Sequence, residues 1–330
     1  MVTSKKVKWG ILSTATIAME QVIPAMLGCA HCDIIAIASR SEEKAQEGAS
    51  KFKIPNFYGS YQQLLDDKEI EAVYIPLPNH MHVPWAIKTL EAGKHVLLEK
   101  PAALSSIEAQ TLLDESKKHP QLKIMEAFMY RFHPQWVKLK ELIADGSIGE
   151  LKTIQSSFSF FEDDPNSIVN NKEMGGGSLM DIGCYPISLS RFLFDAEPKS
   201  VSANIEYDPV FKTDILASGI MEFEKGSSSF FSATQVADNQ NVKIFGTKAF
   251  IEMEIPFNPP TDIKSKIIIN RDGAKEIIEF DICNQYTIQA DLFSLAIIKD
   301  KPVPTPLQDA VNNMKIIEKL IESDKKRQRI

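Results

Sequence analysis

Two kinds of chemistry can be read from residue types and their spacing. The first is phosphate binding. Gly10-Ile11-Leu12-Ser13-Thr14-Ala15-Thr16-Ile17-Ala18 passes from an apolar run into a helical pattern. At a strand-to-helix turn, small residues let the backbone approach a pyrophosphate and the helix N–H groups face the anion. The G-x-G-x-x-G spelling is incomplete, with Leu12 at the second glycine position and Ala15 at the third. Taken alone, the turn reads equally as a plain tight turn. The next apolar run ends Ala38-Ser39-Arg40-Ser41, with Lys44 one turn further on. An NAD site usually carries Asp or Glu there to bond the ribose. Here a 2′-phosphate would meet Arg40, the serine hydroxyls and Lys44. The expected cofactor is therefore NADP, with NAD as the alternative; the competing reading makes Arg40 an ordinary surface charge. The expected cradle is Gly10, Leu12, Ser13, Thr14, Ala15, Ile17, Ser39, Arg40 and Lys44.

The second kind is the chemistry of a reacting centre. Pro76-Leu77-Pro78-Asn79-His80-Met81-His82 leaves one apolar run and Glu99-Lys100-Pro101 leaves the next. Gly175-Gly176-Gly177-Ser178-Leu179-Met180-Asp181-Ile182-Gly183-Cys184-Tyr185-Pro186 lies far downstream. In a parallel sheet the first two would open on the crevice that takes the nicotinamide end of a dinucleotide. Pro76, Leu77, Asn79, His82, Glu99 and Lys100 are expected to contact the cofactor, and a lysine at that position can act on substrate. The three glycines are expected to let a loop pass close to a ligand.

Positioning these groups requires strands and helices in alternation. Short apolar runs at 7–12, 33–39, 72–76, 95–99 and 122–126 read as strands covered on both faces. Helical patterns at 14–27, 41–52 and 82–92 separate them. Another begins at the capping-box pattern Ser105-Ser106-Ile107-Glu108. This alternation predicts a doubly wound parallel sheet, a Rossmann domain over 1–127. The remainder, 128–330, predicts an α+β domain with a large, mostly antiparallel sheet. Its strands are expected at 151–161, 200–207, 215–223, 227–235, 242–245, 250–255, 263–270 and 274–280, and its helices at 134–145, 175–194, 285–298 and 308–324.

The composition sets limits. The chain has 330 residues, 44% of them hydrophobic, enough for about two domains with their own cores. Its formal net charge of −7 comes without a basic stripe, which argues against nucleic acid as a partner. The basic run at Lys325-Lys326-Arg327 reads as a solvated helix end. The stretch from Met1 to Lys8 is polar and basic, and neither a signal peptide nor a membrane span is expected. A cytoplasmic location is expected, and Cys29, Cys32, Cys184 and Cys283 are too few for a disulfide scaffold. Cys29-Ala30-His31-Cys32 spells C-x-x-C, but no second ligand pair follows, so no metal site is expected.

The motifs together resemble the glucose–fructose oxidoreductase and inositol dehydrogenase family, Gfo/Idh/MocA. The Glu99-Lys100-Pro101 triplet, the segment from Pro76 to His82 and the segment from Gly175 to Pro186 carry the likeness over nearly the whole chain. Ala127-Phe128-Met129-Tyr130-Arg131-Phe132-His133-Pro134 and Tyr185 are similar to the subgroup of glucose–fructose oxidoreductase, D-xylose dehydrogenase and dimeric dihydrodiol dehydrogenase. The resemblance implies hydride transfer between NADP and a polyhydroxylated small molecule such as a sugar. It assigns Lys100 to the substrate oxygen and the nicotinamide ribose, Tyr185 to proton transfer, and Asp181 to a place near both. A phenol with a pKa of about 10 is a poor base at neutral pH, and a neighbouring ammonium favours its ionised form. Phe128 and Arg131, with Phe160 and Phe161, are expected to shape the substrate pocket; His133 is either substrate-facing or structural. Some relatives carry an arginine near the position of Asn166, so the substrate is expected to differ from theirs. The resemblance also implies a homodimer or homotetramer built on the open face of the second sheet. A trans-dihydrodiol dehydrogenase and a non-catalytic dinucleotide-binding regulator are the alternatives.

Overall fold

Runs of Val, Ile, Leu and Ala too short for a buried helix form the first sheet. In the computed structural model, which describes residues 5–330, these runs become parallel strands, and part of the N-terminal basic stretch lies outside the described residues. The strands are β1 (Val7–Leu12), β2 (Cys32–Ala38), β3 (Asn56–Tyr58), β4 (Ala72–Ile75), β5 (His95–Leu98) and β6 (Ile124–Glu126), in the order β3-β2-β1-β4-β5-β6. The order reverses at β1/β4, which makes the C-terminal ends of these strands the crevice side. Helices α1 (Ile23–Leu27), α2 (Glu42–Phe52), α3 (Tyr61–Asp66), α4 (His82–Glu91) and α5 (Ser106–Lys118) connect them. The sheet is the doubly wound one expected, with one strand and one helix more: β3 and α3 are too short to show a period in sequence. Ser105 caps α5 as its pattern implies, accepting from Glu108 N, while Glu108 accepts from Leu104 N.

The second sheet grows around β7 (Leu151–Phe161), after α6 (Pro134–Ala144). Helix α7 (Cys184–Phe194) follows, then β8 (Ser200–Tyr207), β9 (Asp214–Phe223), β10 (Gly226–Ala233), β11 (Gln235–Gly246), β12 (Phe250–Met253), β13 (Ser265–Arg271) and β14 (Ala274–Phe280). Their order is β14-β13-β12-β11-β7-β10-β9-β8, antiparallel except for β7/β10. Helices α8 (Gln285–Ile298) and α9 (Gln308–Lys326) close the chain. Among the described residues no helix is long and apolar enough to cross a membrane.

The chain divides into two compact units. One runs to Met129 and adds Asn284–Val311; the other holds Tyr130–Cys283 and Asn312–Ile330. The sequence division at 127/128 assigned 284–311 to the second domain, whereas these residues pack with the first unit. The reason is visible at Trp9, whose Nε1 donates to Ser294 Oγ at 3.2 Å and whose ring lies 5.7 Å from that of Phe293. An indole buried in a sheet needs an acceptor and an apolar lid, and α8 supplies both.

Two helices contain wider, π-type turns, Ala18–Val22 and Leu179–Gly183. Each precedes a proline, Pro24 and Pro186. A proline ring clashes with the carbonyl four residues back and offers no N–H, and a widened turn accommodates both defects. Ile23 N accordingly bonds Ala18 O, five residues back.

Lys94 is 2% exposed, and its ammonium donates to Asp67 O at 2.6 Å and Ile70 O at 2.9 Å. It ties the loop before β4 to the start of β5. Lys94→Met keeps the stem but strands two carbonyls, and is expected to lower stability by about 1–3 kcal/mol. A urea midpoint unchanged from wild type would contradict this role.

Candidate active site

In the first unit the phosphate turn occupies residues 13–15, between β1 and a helix that begins at residue 16. Ser13, Thr14 and Ala15 are half-exposed, and the first-turn N–H groups of the helix have no intrahelical acceptor. Gly10 lies within β1, and a Cβ there would press on Leu64 and Ile70, so its smallness serves the packing of α3. Leu12 is likewise buried in the sheet. Thr14 Oγ1 bonds Ser39 Oγ at 3.4 Å, which joins the turn to the end of β2. Ser41 caps α2 by accepting from Lys44 N, and Arg40 and Lys44 are exposed. Small residues, helix N–H groups, two hydroxyls and two free-standing cations fit a dinucleotide carrying a 2′-phosphate.

The Glu99-Lys100-Pro101 turn is held from several sides. Tyr74 on β4 donates its hydroxyl to Glu99 Oε1 at 2.6 Å, and Lys100 N donates to Glu99 Oε2. Ala102 N donates to Glu126 Oε1 at 2.8 Å. His82 is fully buried, with Nδ1 2.7 Å from Pro101 O and Nε2 2.7 Å from Leu77 O; whichever nitrogen carries the proton donates. Burial outweighs both carbonyls and pushes its pKa down to about 4. His82 was expected to touch the cofactor. Its ring is instead enclosed by protein, and it braces the loop after β4 against the turn after β5. Pro76 and Leu77 are buried in that loop, Asn79 opens a short helical turn at its surface, and Lys100 is half-exposed. Tyr286 from α8 was not anticipated from sequence. Burial raises its pKa, the charge of Glu99 adds to the rise, and Lys100 opposes it, so it stands within reach of both. No local pattern links a tyrosine to a turn so distant in the chain.

The second unit carries Asp181 and Tyr185 on one continuous helix, helical from residue 178 to 194. The expectation of a helix from 175 is corrected by three residues. Asp181 lies in the wide turn and Tyr185 one turn on, in α7. Tyr185 is 4% exposed and packs against the rings of Tyr130, Phe158 and Phe257 at 5.3–5.8 Å between centroids. The helix start is fixed by Asp214, also unforeseen, whose Oδ2 accepts from Leu179 N at 2.6 Å. Gly177 has φ +114°, and a Cβ there would overlap Asp214 Oδ1; a Cβ on Gly176 would overlap Val169 O. These two glycines therefore make room for protein, not for a ligand.

Other pocket expectations need correction. Phe128 is a core residue. Arg131 is buried, donates to Ser188 Oγ at 2.7 Å and lies over the Phe192 ring, so its guanidinium is committed within the unit. His133 is structural: Nδ1 accepts from Gln135 N at the start of α6, and Nε2 meets Cys283 Sγ. Phe160 is half-exposed and Phe161 exposed at the end of β7.

Comparisons with known proteins agree with the geometry. The model of the oxidoreductase family with an NAD-binding Rossmann fold, GFO/IDH/MocA, matches residues 7–127, and that of the GFO/IDH/MocA C-terminal domain matches 136–252. An uncharacterized oxidoreductase of Rhizobium meliloti is 44% identical, over 94% of this chain and 95% of its own. D-xylose 1-dehydrogenase (NADP(+)) 2 of Haloferax volcanii is 33% identical, over 96% of each chain. The crystal structure of an aldose-aldose oxidoreductase from Caulobacter crescentus shares the fold, with a TM-score of 0.92 over 99% of each chain at 24% identity. The chain belongs to the GFO/IDH/MocA oxidoreductase family. It is an oxidoreductase with an NAD-binding Rossmann unit.

Burial pushes the Asp214 pKa up to about 6 from 3.8, against the helix N–H groups that favour the carboxylate. The folded chain therefore holds this proton more tightly than the unfolded one. The associated stability is complete below about pH 4 and is lost as pH rises through about 6. Asp214→Asn is expected to flatten the fall in stability between pH 5 and pH 7. Denaturation curves at the two pH values for both proteins check this, and identical slopes would refute it.

Proposed function

We propose that this oxidoreductase is NADP-dependent and acts at a hydroxyl or carbonyl carbon of a sugar or sugar-like polyol. The observation that carries the reading is the braced turn that presents Lys100 beyond β5, on the crevice side of the sheet. The end of β2 supports NADP, since it offers Arg40, Ser39, Ser41 and Lys44 and no carboxylate. The D-xylose dehydrogenase relative agrees in both cofactor and substrate class. All four cysteines are free thiols, as suits a reducing cytoplasm. Exposed Ile220 and Ile277 on the second sheet suit the assembly of a homodimer or homotetramer.

A nicotinamide held beside this turn would supply or accept the hydride. Lys100 hydrogen-bonds the substrate oxygen and stabilises negative charge developing on it. Tyr185 takes the hydroxyl proton in oxidation and returns it in reduction. Asp181, one helical turn before Tyr185, orients the substrate's other hydroxyls. His82, Glu99 and Tyr74 act through Lys100 by fixing its turn.

Arg40→Ala is expected to weaken NADPH binding about ten- to hundredfold, the worth of a charge-assisted hydrogen bond, and to leave NADH binding within twofold. Fluorescence titration measures both; equal losses for the two cofactors would remove the 2′-phosphate reading. On a panel of aldoses, polyols and trans-dihydrodiols, Tyr185→Phe is expected to lower kcat about 10²–10⁴-fold without weakening NADPH binding. Adding Lys100→Met should cost little more, because residues that act as a unit are not additive. Full turnover in Tyr185→Phe would assign the proton to another group.

A further inference from the structure

The C-x-x-C turn lacks a second ligand pair in sequence, but the fold provides a third ligand. Helix α8 lays Thr287, Asp291 and Ser294, three and four residues apart and so on one face, along the turn that joins α1 to β2. Cys29 Sγ lies 3.4 Å from Thr287 O and Cys32 Sγ lies 3.3 Å from Ser294 Oγ. One ligand atom from each of Cys29, Cys32 and Asp291 falls within 4.8 Å of the others. We propose that Cys29, Cys32 and Asp291 form a binding site for one thiophilic divalent cation of the zinc class.

The donor set fits such an ion. Two thiolates and a carboxylate suit a borderline-soft cation, and bonds of about 2.3 Å to sulfur and 2.0–2.2 Å to oxygen place tetrahedral ligands about 3.4–3.8 Å apart. Closing the cluster needs side-chain movement of about an ångström. Asp291 is already oriented, since Oδ1 accepts from His31 N at 2.8 Å and Oδ2 from Ala30 N at 3.2 Å. Each oxygen keeps a second lone pair for a metal. His31 adds a buried Nδ1 with no protein partner, in the same turn.

The charges also balance. Cys29 is 4% exposed and Cys32 3%. A cysteine binds a metal as the thiolate, so each thiol gives up its proton to the solvent as the ion enters. On binding, two S–H bonds break, two metal–sulfur bonds form and two protons leave. The cluster's charge is −1 before and −1 after, because two protons are exchanged for one divalent ion.

The site lies at the start of β2, whereas Ser39 and Arg40 follow its end, about 20 Å away along a seven-residue strand. The ion's part is structural. It would pin α8 to β2 and to the end of α1.

The test is titration of the reduced full-length protein with Co²⁺ under anaerobic conditions, followed by displacement with Zn²⁺. The expected result is one equivalent of Co²⁺ with a sulfur-to-cobalt charge-transfer band in the near ultraviolet, bleached by Zn²⁺. Release of two protons makes the apparent affinity rise about 100-fold per pH unit below the thiol range. The band should vanish in Cys29→Ser and in Cys32→Ser; in Asp291→Asn it should persist with affinity at least tenfold lower. No charge-transfer band in the wild type, or a band that survives both cysteine changes, overturns the proposal. If the variants fail to fold, the wild-type pH slope still decides: a slope near zero means ordinary surface carboxylates and also overturns it.

Discussion

A fully buried imidazole holds together the loops that leave β4 and β5 in the first unit. His82 spans Leu77 O and Pro101 O, each at 2.7 Å, and so fixes the distance between the loop after β4 and the turn after β5. Parallel strands are bonded along their length, but their terminal loops have no ladder to align them. A flat, fully buried ring that meets a backbone carbonyl at each end is a rigid spacer. Glu99, held by Tyr74, performs the same service one residue before Lys100. The Lys100 side chain thus rises from a base with little freedom.

The second unit solves its own positioning problem by other means. Helix placement there depends on a single carboxylate at the helix start and on the space left by Gly177. Once the start is pinned, the wide turn at Leu179–Gly183 and the following α-helical turn set the angular offset between Asp181 and Tyr185. The aromatic rings packed around Tyr185 then remove its rotamer freedom. Placement in this unit combines one carboxylate–backbone hydrogen bond with aromatic packing, where in the first it rests on buried polar side chains that tie loops together.

Much of this was legible in the sequence, for identifiable reasons. Strands buried on both faces appear as apolar runs, so the parallel sheet, its order of elements and the capping of α5 by Ser105 could be read directly. The stretches after Pro76 and at Glu99 did leave strand ends as loops, whereas most of the stretch from Gly175 to Pro186 became helix. What escaped reading were interactions between residues far apart in the chain. Asp214 and Tyr286 carry no local signal, because a carboxylate at a distant helix start and a tyrosine near a distant turn look like any others. Phe128 and Arg131 were misjudged for the converse reason: an aromatic and a cation beside a motif look functional, yet both are used in cores. Pro186 lies inside the helix predicted over 175–194, and the widened turn before it lets the helix begin at residue 178 and pass through it. The division at 127/128 failed at α8 because periodicity shows that a helix is amphipathic or buried, not which sheet it covers.

That last feature has a bearing on how the protein is made. Trp9 is among the first core residues to leave the ribosome, and Phe293 and Ser294, which cover it, are among the last. All the strands of the second sheet are synthesised in between. The parallel sheet can form its ladder early, but its indole stays without its lid until most of the chain exists. The unit that begins first is therefore completed only after every strand of the second sheet has been made, and during synthesis its open flank is the surface on which a chaperone would find purchase.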